Sequence, residues 1–346
     1  MERIRIMCVA IACVFCFGFL VPSQLIAADP IIIGVPTSMG QPAGAESFKS
    51  VIMAAEEINA KGGVNVGGTK RMLKVEGMDI RDASPGVPVP DALLGLEKII
   101  MDKKVHAIVV GPFRSEALMA GMDIIAKHKV PMLGTIAMTP ATEGKIKKDP
   151  EKYKYIFRGG INVIFFIKHQ MGFYWYLKKT FGFNKVFIIH QDVLWARGNA
   201  KGFSGILKKG GWEVKGVEAY PTGATDFSAA LMKARASGAK VIMPIFDMPT
   251  SGILVKQWNA MKIPALMAGI VVPLAGADAW EGFDKKITGV INTVFEIGNI
   301  PTSKVPASVA YYNNYKKRWG KYVQEQHGPA PSYEMVYVLI DAIEKA

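Results

Sequence analysis

Phe113, Arg114 and Ser115 are the residues best placed to do chemistry, within the run Gly111-Pro112-Phe113-Arg114-Ser115-Glu116. An apolar stretch, Val105 to Val110, precedes the run, and a helical period, Ser115 to Lys127, follows it. The run therefore lies where a strand hands over to a helix. Backbone N–H groups at a helix N-terminus attract anions, and a neighbouring arginine adds charge-assisted bonds to a carboxylate. The pattern points to binding of an acidic group. A second reading stays open, in which Ser115 is only a helix cap and Arg114 is solvated.

Other chemistry is weakly signalled. Asp79 and Asp82 form a carboxylate pair at a strand exit, suited to a cation or polar ligand, but Asp82 or Ser84 equally suits a loop cap before Pro85. The five histidines, His106, His128, His169, His190 and His327, are not spaced as metal ligands on one helix face. His190 ends a strand and reads either as a cleft residue or as a structural hydrogen-bonding one. Gly34 to Gly40 lacks the GxGxxG spacing, and Pro36 removes a donor where a phosphate would need one. HExxH, GxSxG, GxxxxGK[ST] and EF-hand patterns are absent. The expectation is a binding protein and not an enzyme, with no metal and no cofactor.

The elements that must position these residues alternate. Strands are expected at Ile31 to Val35, Leu73 to Ile80, Val105 to Val110 and Val130 to Gly134, with helices at Ser47 to Ala60, Asp91 to Asp102 and Ser115 to Lys127. A second series begins near residue 160. It runs helix 164–180, strand 185–190, helix 197–209, strand 212–219, helix 227–237, strand 240–245, helix 250–261 and strand 264–268. Such alternation argues for parallel sheets built from β-α-β units, and two series argue for two domains of similar architecture. The fold class expected is α/β. Lys147 to Gly160, with Arg158-Gly159-Gly160, is a plausible chain crossing, and Gly289 to Val294 a second. Helices at Pro306 to Trp319 and Tyr333 to Ala346 are expected to return to the first lobe. The expected division is 1–28 as leader, 29–157 plus 292–346 as lobe I and 158–291 as lobe II, with a cleft between them. Loops at strand C-terminal ends are the expected ligand-binding ring.

Arg3 and Arg5, an uncharged run from Ile6 to Val21 and Ala27-Ala28 read as a secretory signal peptide. Cys8, Cys13 and Cys16 all lie within it, so the mature chain holds no disulfide and no thiol nucleophile. The formal net charge is +13, from 42 Lys and Arg against 29 Asp and Glu. The basic residues are dispersed, which suits solvated faces or attraction of an anionic solute better than nucleic acid. The helical pattern runs to the last residue without a cap, so a missing C-terminal part is expected.

Several of these segments together resemble the type I periplasmic binding proteins of branched-chain amino-acid ABC transporters, the Leu/Ile/Val-binding family. They are Ile32-Ile33-Gly34, Ala54 to Val64 (AAEEINAKGGV), Gly111-Pro112 before Ser115, Val186 to His190 and Thr225-Asp226-Phe227-Ser228. The resemblance implies two Rossmann-like lobes joined by hinge crossings, closure on a ligand, a periplasmic monomer and delivery to a membrane permease. It places the carboxylate-binding serine at Ser115 and a backbone contact at Ala137, with Met138 at a position usually threonine and Thr139 following. It places an aromatic at Trp195, a first-lobe aromatic at about Ala43, the ammonium-pairing acid at about Ile270 and a tyrosine near Asp247 or Met248. A buried ammonium without a counter-charge is costly. Losing the acid and the threonine hydroxyl argues against an α-amino acid unless Asp247 substitutes, and keeping Ser115 with Arg114 beside it favours a carboxylate whose aromatic or aliphatic body is walled by Trp195, Phe113, Met138 and Met248. A branched-chain amino acid remains the other reading. A ligand sensor of the same fold is the alternative function, and a doubly wound hydrolase or dehydrogenase a remoter one.

Overall fold

The computed structural model describes residues 28–294 and 299–346. The expected leader lies outside them, Ala28 apart.

The strand β1, Ile31–Thr37, pairs in parallel with β4, Leu73–Asp79, and with β5, Ala107–Val110. The strands β6, Met132–Gly134, and β7, Ile156–Arg158, extend this sheet to the order β4-β1-β5-β6-β7. A separate hairpin joins β2, Val64–Val66, to β3, Thr69–Arg71. In the second sheet, β8, Lys185–Gln191, lies between β9, Glu213–Tyr220, and β10, Val241–Phe246. Next come β11, Leu266–Val271, and β12, Val290–Asn292, in the order β12-β11-β10-β8-β9. Both sheets thus have the same winding, reversing direction at β1/β5 and at β8/β10. The first sheet extends through Arg158 and the second through Asn292.

The unbroken apolar strands follow from burial on both faces. In β8, Val186 and Ile188 meet Phe166, Phe203 and Leu207, from helices α6 (Val163–Phe181) and α7 (Leu194–Lys209). The intervening Phe187 and Ile189 meet Leu231, Leu254 and Val255 on the opposite face, from α8 (Ser228–Ala236) and α9 (Gly252–Ala260). In the first lobe, Val109 faces α1 (Pro42–Ala60) and Ile108 faces α2 (Val89–Lys103) and α3 (Ser115–His128). Short helices α4 (Ala141–Lys148), α5 (Pro150–Tyr153) and α10 (Ala279–Gly282) fill connections. The helix α11 has the expected bounds, Pro306–Trp319, and α12 spans Pro329–Lys345. Val336, Leu339 and Ile340 of α12 pack with Val51, Ala54 and Ile58 of α1, so the late chain does return to lobe I.

The helix α1 starts at Pro42, five residues before its expected start. A proline at the first helical position needs no donor, and its fixed φ suits a helix start. Gly44 belongs to that first turn because a Cβ there would lie 2.1 Å from the Ser38 carbonyl oxygen. At the crossing, a Cβ on Gly160 would lie 2.2 Å from the Thr135 carbonyl oxygen. Arg158 fastens the same crossing. Its guanidinium donates to the Ala137 and Thr139 carbonyls at 2.5 and 2.7 Å, and to Glu143 at 2.6 Å. No helix among the described residues is long and apolar enough to cross a membrane.

Candidate functional site

Loops at the C-terminal ends of both sheets converge on one cavity. Lobe I contributes Gln41, Pro42 and Ala43 after β1, Phe113 after β5, and Ile136 and Met138 after β6. Lobe II contributes Trp195 after β8, Asp247 after β10, and Ile270 and Val272 at the end of β11. Glu325, Gln326 and His327, which precede α12, complete the wall.

The β5 exit is conformationally tense. Val110 has φ +81° and Gly111 φ +72°. A β-branched residue rarely adopts this region, at a cost of about 1–3 kcal/mol. The turn brings Pro112 and Phe113 round so that Phe113 faces the cavity. Asp82 supports it from the β4 exit, where its Oδ2 accepts the Arg114 N–H at 2.7 Å. Burial pushes the Asp82 carboxyl up to about 6, against the Arg114 and Phe113 backbone N–H bonds that pull it down. The carboxylate pair expected at Asp79 and Asp82 is divided in role. Asp79 Oδ1 accepts the N–H groups of Met39 and Arg81, each at 3.0 Å.

Arg114 is buried, 5% exposed, and reaches across the cleft. Its Nη1 donates to Asp247 Oδ2 at 2.5 Å, and Trp195 Nε1 donates to the same oxygen at 2.6 Å. Arg114 Nη2, Ser115 Oγ and Asp247 Oδ1 are buried and have no hydrogen-bond partner. A second bridge lies beside the first. Glu116 Oε1 accepts the N–H of Leu194 at 2.6 Å, so a lobe I carboxylate caps a lobe II helix whose own N-cap, Val193, offers no side-chain bond.

Of the ten residues expected at the site, Phe113, Met138, Trp195, Asp247 and Ile270 line the cavity, as does Ala43. Arg114 and Ser115 stand directly behind Phe113 in the chain. Ala137 is buried, and its carbonyl is taken by Arg158. Thr139 Oγ1 accepts the Ala141 N–H at 3.2 Å and so serves the start of α4. Met248 packs into the lobe II core, its sulfur accepting the Gly223 N–H at 3.2 Å. His190 is structural in its contacts, with Nδ1 2.8 Å from the Gln191 carbonyl.

Gln41, Pro42, Ile136 and Val272 lie in loops at strand C-terminal ends, where ligand contacts were expected, but were not singled out, and the 325–327 segment was not foreseen. The last looks like a polar surface loop, yet Glu325 and Gln326 are 4% and 1% exposed. Glu46 Oε2 holds the segment by accepting the N–H groups of Gln324 and Glu325 at 3.0 and 2.9 Å. Burial raises the Glu46 carboxyl, and these same two bonds oppose the rise. His327 Nε2 donates to the Ile136 carbonyl at 2.7 Å. The one available sequence signal was Gly328-Pro329, a helix start whose preceding residues must lie near the sheet ends. Among the described residues no cluster of His, Cys, Asp and Glu is arranged to hold a metal ion.

Two like-wound lobes with a cavity at their facing strand ends offer a site for a small solute. The chain belongs to the periplasmic binding protein family, whose pattern matches residues 30–346. This is a family of solute-binding proteins and not of enzymes. An amino acid binding protein of Pseudomonas aeruginosa is 27% identical over 69% of this chain and 60% of its own length. The Leu/Ile/Val-binding protein homolog 7 of Brucella suis is 24% identical over 87% of this chain and 73% of its own. The chain thus spans about three fifths of the first relative. A Rhodopseudomonas palustris solute-binding protein in complex with 4-hydroxybenzoate superposes with a TM-score of 0.73 at 20% identity, covering 91% of this chain and 81% of that one. A Streptococcus pneumoniae branched-chain amino acid binding protein in complex with isoleucine gives 0.70 at 22%, covering 92% and 84%. The α/β architecture of two parallel-sheet lobes agrees with the expectation from the sequence.

Proposed function

We propose that this protein is the extracytoplasmic solute-binding component of an ABC importer. It captures a small carboxylate with an aromatic or aliphatic body by closure of its two lobes and passes it to a membrane permease. The engagement of Asp247 carries the ligand assignment. One oxygen of that carboxylate already pairs with Arg114 and Trp195, so its charge is largely offset within the protein and makes it a poor counter-charge for a ligand ammonium, while its Oδ1 stays open to an uncharged ligand donor. The unpartnered donors nearby, Arg114 Nη2 and Ser115 Oγ, call for an acceptor. Phe113, Met138, Trp195 and Ile270 offer an apolar body a wall. Relatives of the same fold are in complex with aromatic acids, 4-hydroxybenzoate and 3,4-dihydroxybenzoic acid, which supports the class.

Glu325 favours a second reading. It is a buried carboxylate in the cavity wall and would suit the ammonium of a branched-chain amino acid; a protein of the same fold is in complex with isoleucine. Thermal melts with each solute separate the two. A ligand at a hundred times its Kd adds about 2.7 kcal/mol of stability. Benzoate-like acids are expected to raise Tm. Stabilisation by leucine or valine, with none by benzoate-like acids, refutes the assignment.

A further inference from the structure

Gln326 is 1% exposed, lines the cavity, and has no hydrogen-bond partner for either Oε1 or Nε2. A buried primary amide with both ends unmet is rare, because it gives up its bonds to water and gains none. The segment that carries it is held on both sides. Glu46 ties down the two residues before it, His327 is bonded to Ile136, and Asn299 Nδ2 donates to the Gln324 carbonyl at 3.1 Å. The backbone around Gln326 is therefore fixed, and the residue sits in the cavity wall with its amide buried. Gln41, in the same wall, repeats the theme: its Oε1 also has no partner, and its Nε2 makes only a 3.5 Å approach to Ala83.

We infer that Gln326 is a specificity-determining residue, and that the solute carries, besides its acid, an uncharged group that both donates and accepts a hydrogen bond. A hydroxyl or a carboxamide fits, with its hydrogen donated to Oε1 and its oxygen accepting from Nε2. The inference rests on the carboxylate reading proposed above and adds the chemistry of the ligand's second polar group. A site built to bond such a group rejects the analogue that lacks it, because the analogue leaves the buried amide unmet.

The test measures binding of benzoate, its three monohydroxy derivatives and its carboxamide derivatives to the full chain. Wild type, Gln326→Met and Gln326→Leu are compared by calorimetry, with Tm recorded for each ligand-free protein. Wild type is expected to prefer at least one hydroxy or carboxamide acid over benzoate by tenfold or more. Both variants should bind benzoate at least as well as wild type and lose that preference. Gln326→Met, which fills the same space without orphaned atoms, should also raise the ligand-free Tm. A preference that survives in both variants overturns the inference, and so does benzoate binding in wild type with no preference at all. Binding of none of these acids by wild type overturns the aromatic form of the carboxylate reading, and this inference with it.

Discussion

Replacing Asp247 with asparagine should open the ligand-free cleft. In the wild type one Asp247 oxygen takes bonds from Arg114 and Trp195, with the two charged side chains 6% and 14% exposed. Two unit charges about 4 Å apart interact by about 4 kcal/mol at the effective dielectric of about 20 that suits such sites. Asparagine keeps a neutral acceptor but removes the counter-charge. Part of the loss returns when the lobes separate and Arg114 hydrates, so the net cost to the closed form is about 2–3 kcal/mol, or roughly 30- to 150-fold in the closed-to-open ratio. The loss should appear as opening and not as unfolding, because Arg114 follows β5 in one lobe and Asp247 follows β10 in the other. Small-angle scattering of the ligand-free variant should show a larger radius of gyration than wild type. Adding a carboxylate ligand should restore the compact form by giving Arg114 a new counter-ion, whereas a neutral analogue should not. An unchanged scattering profile with an unchanged Tm would refute the reasoning.

Two more predictions concern the frame of the site. The Asp82 carboxyl, raised by burial from the ordinary 3.8 to about 6, contributes stability that is present below about pH 4 and lost as pH rises through about 6. At 1.36 kcal/mol per unit, the swing is about 3 kcal/mol. Denaturant melts should therefore show Asp82→Asn gaining on wild type as pH rises from 4 to 7.5, and a constant difference would contradict the assignment. Arg158→Ala should destabilise the protein by about 2–4 kcal/mol in urea unfolding, since the Ala137 and Thr139 carbonyls and Glu143 all lose a charged donor. A loss below about 1 kcal/mol would remove Arg158 as the fastening of the crossing.

Much of the frame was legible because burial on both faces writes itself into the strands. Val186 to Ile189 cannot alternate with polar residues when both neighbours are helices, and α11 could be bounded because Pro306 and Gly320 punctuate it. Short elements were not legible. The strands β7 and β12 span three residues each and take their identity from sheet pairing, which no local period reports. The site was legible where it follows a strand. Phe113, Trp195 and Asp247 lie at expected loop positions, whereas Gln326 is placed by a contact from Glu46, 278 residues or more away along the chain. Arg114 and Asp247 were each singled out, but the bond between them depends on how the lobes face one another.

The fastening of the 324–327 segment bears on how such a protein changes its diet. Glu46 grips backbone N–H groups, and Asn299 grips a backbone carbonyl. None of these anchors depends on the side chain at 326. That position can be redrawn by single mutations while the loop keeps its course, because its anchors are backbone groups. A lineage with this frame can move between solutes one residue at a time, without passing through forms that no longer fold.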